Sequence, residues 1–281
     1  MSWRLEIRHT TAYSYDRPVL ASYNEARVTP ATTSGQAVIE AELDIKPASV
    51  LFRYIDYWGT TVHAFDLHDP HASLTVTGSA IVETGAGNRA PSARLRWGEL
   101  GAPAVADRFY ELLAPSRYVD PGAFSDVALA IRSECATPAR ALPAVTEWVH
   151  DQLGYQPGLT HADTSAVEAW KAGLGVCQDF SHLSIGVMRA MGVPARYVSG
   201  YFYPGTGAEV GATVTSESHA WAEAWLGGWV ALDPTNRVRV GERHVVVARG
   251  RDYADVAPLR GIYSGPPGSS TKVAVELRRL A

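Results

Sequence analysis

The stretch Ser218-His219-Ala220-Trp221-Ala222-Glu223-Ala224-Trp225-Leu226 constrains the chain most, because large and small side chains alternate along it. Alternation at period two belongs to a strand, whose successive side chains point to opposite faces. One face then carries His219, Trp221, Glu223 and Trp225, and the other carries Ala220, Ala222 and Ala224. The alanine face can pack tightly. The other sets an imidazole among aromatic and carboxylate groups, a polar and partly dry setting suited to a working base. Taken alone, a histidine so placed is more often a hydrogen-bonded structural residue.

Gly227 and Gly228 then mark a hairpin turn leading into Trp229-Val230-Ala231-Leu232-Asp233. Its register decides where Asp233 points. A two-residue loop pairs Leu226 with Trp229 and puts Asp233 opposite Ala222, away from His219. An odd loop, such as Leu226 to Gly228 with a glycine in the left-handed region, pairs Trp225 with Trp229. Asp233 then falls opposite Trp221, diagonal to His219 on the same face. The odd loop is the expectation. The ordinary role of an aspartate before a proline, here Pro234, is to end a strand in a turn.

Upstream, Phe180, Leu183, Val187 and Met191 recur at helical spacing, and Gly192 with Pro194 supplies the stop. Cys177 is therefore expected in the first turn of a helix, where unpaired amides and the helix dipole favour thiolate over thiol. Gly173 and Gly175 let backbone approach closely just before it. The other cysteine, Cys135, reads as an inert small residue, as most free cysteines are.

The chain has 281 residues, 46% hydrophobic and 19% charged, enough for two cores. A net charge of −4 with scattered basic residues asks for no nucleic acid. Met1 to Thr10 includes Arg4, Glu6, Arg8 and His9, unlike the apolar heart of a signal peptide, and no stretch is long and apolar enough to span a bilayer. With only two cysteines, a reducing cytoplasm is the expected setting. No paired metal-ligand motif or phosphate-cradling glycine loop appears, so neither metal nor cofactor is expected.

Short alternating runs from Trp3 to Glu83 predict an antiparallel β-sandwich, and the Gly-, Ala- and Pro-rich segment 84–96 suggests a boundary. The expected division is a β-rich domain over 1–96 and an α+β domain over 97–281. In the second, three-to-four spacing predicts helices over Ser125 to Glu134 and Pro138 to Leu153, and Ser165 with Glu168 stands in capping-box spacing before another. Strands are expected over Ala195 to Tyr203, Ser218 to Leu226 and Trp229 to Asp233, with further ones at Val245 to Ala248 and Lys272 to Leu277.

Three elements in order, Gly175-Val176-Cys177-Gln178-Asp179-Phe180, His219-Ala220-Trp221-Ala222-Glu223 and Asp233-Pro234-Thr235, resemble the transglutaminase-like superfamily. Pro194 to Tyr201 joins the first two. His9-Thr10-Thr11-Ala12-Tyr13-Ser14-Tyr15 and Pro70 to Leu74 also resemble the β-rich N-terminal region of its bacterial members, as does the run Gly250 to Val256, for which no role is assigned. Trp58-Gly59-Thr60 departs from the more usual Phe-Gly-Asn. The resemblance implies a papain/transglutaminase-like core behind an N-terminal β-sandwich, with Cys177 as nucleophile, His219 as base and Asp233 orienting it.

It further implies attack on an amide carbonyl and a thioester that passes to water or to an amine. Hydrolysis of a peptide or amide bond, in a peptide or protein substrate, is the expected outcome, and transfer to an amine by a protein-glutamine or peptide transglutaminase the alternative. The Cys177 amide is the first oxyanion candidate, with Gln152, Tyr155, Gln178, Trp221 and Glu223 as side-chain candidates for the oxyanion site or cleft. Asp179 and His182 are expected to serve the helix dipole and a buried hydrogen bond. An arylamine acetyltransferase would show Arg-Gly-Gly-x-Cys where this chain has Gly173-Leu174-Gly175-Val176-Cys177. A reading of another class is a peptide-binding module without catalysis.

Overall fold

The computed structural model describes residues 2–85, 95–205, 209–266 and 268–281. Six strands come first: β1 (Trp3–Val19), β2 (Ala21–Ala26), β3 (Gln36–Lys46), β4 (Phe52–Ile55), β5 (Thr61–Leu67) and β6 (His71–Thr84). Four principal helices follow, α1 (Ser125–Glu134), α2 (Pro138–Gln152), α3 (Ala166–Ala172) and α4 (Cys177–Ala190). The chain then runs through β7 (Ala195–Phe202), β8 (Thr213–Ser216), β9 (Ser218–Trp225), β10 (Trp229–Leu232), β11 (His244–Gly250), β12 (Leu259–Ser264) and β13 (Ser269–Arg279). Among the described residues no helix is long and apolar enough to cross a membrane.

Two antiparallel sheets, ordered β8-β13-β1-β6-β3 and β12-β2-β5-β4, make the sandwich. Their facing side chains, Ile45, Leu74 and Val76 from one and Ala26, Phe65 and Leu67 from the other, form a core. One expectation needs correction here. The strand over Lys272 to Leu277 does not extend the second domain: β13 pairs with β1 from Leu5↔Arg279 to Tyr15↔Ser269, and β12 pairs with β2. The end of the chain thus completes the N-terminal sandwich, so a cut at residue 96 does not follow sheet membership. Period-two patterning identifies a strand but carries no address for its partner. The segment 84–96 and the loop from Pro204 to Thr215 lie partly outside the described residues.

The third sheet, β10-β9-β7-β11, is antiparallel and faces α4. Helix α4 is buried on every side from Asp179 to Arg189, as a helix at the centre of a core must be. It packs on the alanine face of β9: Ala220, Ala222 and Ala224 share a core with Phe180, Leu183, Ile185, Val187 and Met188. Each of those large side chains contributes roughly 1.5–3 kcal/mol by burial. Three small side chains across from them let helix and sheet come close.

The first sheet serves both cores. Leu5, Ile7, Ala80 and Val82, at one end of β1 and β6, join the core around α4, while Leu74 and Val76 lie in the sandwich core. Polar contacts secure this seam. The Gln36 amide donates to the Val246 carbonyl at 2.8 Å and accepts from the Val246 amide at 2.8 Å, and His9 Nδ1 lies 3.0 Å from the Tyr201 hydroxyl. Burial pushes His9 down to about 4, so it stands there as a neutral hydrogen bonder.

Candidate active site

Cys177 opens α4. Ahead of it, Ser165 caps α3 and exchanges hydrogen bonds with Glu168, and Gly173 ends that helix at φ 68°, which favours glycine. Two residues beyond Cys177, Asp179 Oδ2 accepts from the Val176 amide at 2.8 Å and from the Thr160 hydroxyl at 2.7 Å. Asp179 therefore caps the helix that presents the sulfur. Its other oxygen is buried with no partner among the described residues, and burial pushes its pKa up against the pull of these bonds.

The hairpin has the odd loop. Trp225 pairs with Trp229 and Ala222 with Leu232, while Gly227 takes φ 82°. Continued one step, that register puts Asp233 on the His219 face, and His219 Nε2 meets Asp233 Oδ2 at 2.8 Å. The Cys177 sulfur lies 4.0 Å from the carbonyl oxygen of Ser218, the residue before His219. Burial pulls His219 down, but the bonds to Asp233 and Cys177 outweigh it and bring the imidazole up to about 9.

Two partners of Asp233 were not foreseen. His244 Nε2 donates to the same Oδ2 at 3.1 Å, and the Asn236 amide donates to it at 2.9 Å. The Thr235 and Asn236 backbone amides donate to Oδ1 at 3.1 and 3.0 Å. The Gly241 amide approaches His244 Nδ1 at 3.4 Å, which assigns the proton to Nε2. Burial alone would raise Asp233, yet the histidines and Asn236 hold its carboxyl far below the usual range. Asn236 follows Asp-Pro-Thr, an Asx-turn spacing that signals the backbone bonds to Oδ1. His244 had no such signal: it begins an apolar strand and reaches Asp233 only through the fold.

The remaining candidates divide. Tyr155 is 55% exposed, and partial burial together with the charges of Cys177 and Glu217 pushes its hydroxyl pKa up. Gln152 accepts from the Trp170 indole at 3.0 Å, and Gln178 donates to the Ala162 carbonyl at 3.3 Å, so each amide is engaged beside the helix termini. Trp221 is fully buried, 5.9 Å from the His219 ring and 5.3 Å from that of His244 between centroids, and supports both imidazoles without an exposed edge. Gly200, opposite His219 on β7, makes room for it, since a Cβ there would strike the Val245 carbonyl and the Trp221 ring. Glu223 binds Arg196 and Arg249 instead of lining the cleft beside His219.

His182 accepts from the Tyr253 amide at 3.2 Å and lies between Tyr118 and Tyr197. The Gly250 to Val256 run also has a structural place. Asp252 takes the amides of Tyr118 and Ala254, and the Arg251 guanidinium holds Asp255 through two bonds of 2.9 Å. His219 Nε2, Asp233 Oδ2 and His244 Nε2 lie within 4.8 Å of one another. A cation there would have to displace the protons that both nitrogens share with one oxygen.

Residues 125–234 match the transglutaminase-like superfamily, and residues 5–83 match the bacterial transglutaminase-like N-terminal region. The chain belongs to the transglutaminase-like superfamily. It is 47% identical over 280 residues to an uncharacterized Mycobacterium leprae protein, covering 99% of this chain and 100% of that one. It is 28% identical over 155 residues to a Pseudomonas aeruginosa protein-glutamine gamma-glutamyltransferase, covering 49% of this chain and 22% of that one. A crystal structure of a candidate cysteine protease from Cytophaga hutchinsonii has the same fold, with a TM-score of 0.80 at 24% identity over 100% of this chain and 92% of that one.

Proposed function

We propose that the protein is a cysteine-dependent acyl-transfer enzyme that hydrolyses peptide or amide bonds through a thioester on Cys177. The observation that carries this reading is the imidazole of His219, held at 2.8 Å by the buried carboxylate of Asp233 on a strand whose Ser218 carbonyl lies 4.0 Å from the Cys177 sulfur. This arrangement supports Cys177 as nucleophile, His219 as base and Asp233 as the acid that orients the base.

The steps follow from the geometry. His219 takes the Cys177 thiol proton as the sulfur forms a bond to the amide carbonyl carbon, and the oxygen that gains charge would lie against amides of the first turn of α4. The C–N bond breaks as the His219 imidazolium gives its proton to the departing nitrogen. Water then attacks the thioester carbon, His219 takes its proton, and the C–S bond breaks to release the carboxylic acid. Asp233 holds the ring throughout, with His244 and Asn236 holding Asp233. Cys177 is half-buried, so the thioester would stand where water reaches it.

Transfer to an amine is the second reading, favoured by the likeness of half the chain to a protein-glutamine gamma-glutamyltransferase. A peptide and glutamine-donor screen with mass readout, with and without a primary amine, separates the two. Hydrolysed product alone supports the first and amine conjugates the second. Iodoacetamide tests both against a binding module without catalysis. Cys177 should react faster than a model thiol at neutral pH, and Cys177→Ala should abolish product; a sulfur no faster than the model thiol together with an unchanged Cys177→Ala activity would refute catalysis.

A further inference from the structure

On the face of the third sheet away from α4, a pocket of about 500 Å³ lies between β9, β11 and the loop 33–36. Its chemistry is unlike that of the nucleophile. Arg196, Arg249 and Arg239 line it with Glu223, Trp229 and His244. Glu223, buried on β9, accepts from Arg196 Nε at 2.7 Å and from Arg249 Nε and Nη2 at 3.0 and 3.1 Å. The Arg196 guanidinium stacks on the Trp229 ring, 3.7 Å from its centroid, which fixes its plane at the pocket wall. Arg239 is exposed and has no ion-pair partner among the described residues.

Three guanidiniums thus face one carboxylate. Two of them are largely buried, with side-chain exposures of 19% and 21%, and Glu223 can neutralise only one. Uncompensated positive charge in a partly dry site is costly, and a negative partner relieves that cost. Burial pulls Arg196 down to about 10, with Glu223 opposing the fall and Arg249 adding to it. Guanidinium forks suit planar or tetrahedral oxyanions, and the pocket volume suits a small molecule and excludes a folded partner.

We infer that this pocket binds a small multivalent oxyanion, a polycarboxylate or a phosphate ester, between Arg196, Arg249 and Arg239. The ligand would rest against His244, whose other side holds Asp233. The site needs no reaction at Cys177, so its test is independent of the proposed activity.

Calorimetric titrations of the full chain with citrate and, separately, with pyrophosphate at low ionic strength test the inference. At least one should bind with one-to-one stoichiometry and a Kd below about 1 mM, about −4 kcal/mol. Citrate alone assigns a polycarboxylate and pyrophosphate alone a phosphate ester; both assign the shared oxyanion chemistry. Arg239→Glu changes an exposed side chain and should weaken binding at least tenfold with an unchanged thermal midpoint. Arg249→Gln, checked for native circular dichroism, should weaken it as well. No heat from either probe, or binding that both variants leave intact, overturns the inference.

Discussion

The third sheet buries a histidine against each face, and the two surroundings push their charges in opposite directions. On the α4 side, His182 is enclosed by Tyr118 and Tyr197, accepts a backbone N–H, and faces Asp252 and Arg189. Burial drives it down to about 4, the attraction of Asp252 notwithstanding. On the far side, His219 is also buried, but Asp233 and Cys177 supply bonds to the charged ring and bring it up to about 9. Burial is common to both; a carboxylate within hydrogen-bond reach separates them. His182 is held neutral as part of the packing, and His219 is held ready to give a proton.

Removing the carboxylate charge is the sharpest way to break the contrast. Asp233→Asn should lower kcat/KM by about 10⁴, because the imidazole loses both its orientation and its counter-charge. A near-UV circular dichroism spectrum like that of the native protein would show that the packing survives. A loss below tenfold would remove Asp233 from the mechanism. Crowding Trp221 comes next. Gly200→Ala forces the Val245 carbonyl and the Trp221 ring aside and should destabilise the fold by about 3 kcal/mol in urea unfolding, since strained small-to-large changes cost that much.

Titration sharpens the comparison in both directions. His219 has a folded pKa raised from 6.5 to about 9, so its stabilisation is complete below about pH 6.5 and disappears as pH rises through 9. His182 has a lowered folded pKa, so its native form is complete above about pH 6.5 and loses stability as pH falls toward 4. Denaturant unfolding against pH should therefore show a smaller alkaline fall in His219→Gln and a smaller acid fall in His182→Gln, the buried His9 keeping part of the latter. Interchanged limbs would contradict these environments. The smallest effect belongs to His244→Phe, which removes one donor from Asp233 while His219 keeps its own bond. Cys177 alkylation should slow about tenfold, the worth of one hydrogen bond to a charged group.

Much of the site was legible before any tertiary structure. Alternation divided β9 into an alanine face and a face bearing His219, and helical spacing put Cys177 at the start of α4. Requiring Asp233 to share a face with His219 selected the odd loop that the hairpin has. Gln152, Gln178 and Glu223 were less legible, because a polar side chain announces a capacity for hydrogen bonds and not who satisfies it. Trp170, the Ala162 carbonyl and two arginines take that capacity.

What the sequence by itself determined is whatever depends on near neighbours: faces of strands, first turns of helices, and the bend that carries Asp233. Such features repeat at two or three-to-four residues and need no distant partner. Only the tertiary structure decided that β13 returns to β1, that His244 joins His219 on one carboxylate oxygen, and that Arg249 reaches Glu223. Those contacts depend on how separate stretches of chain are brought together, and local periodicity contains no distance information of that kind.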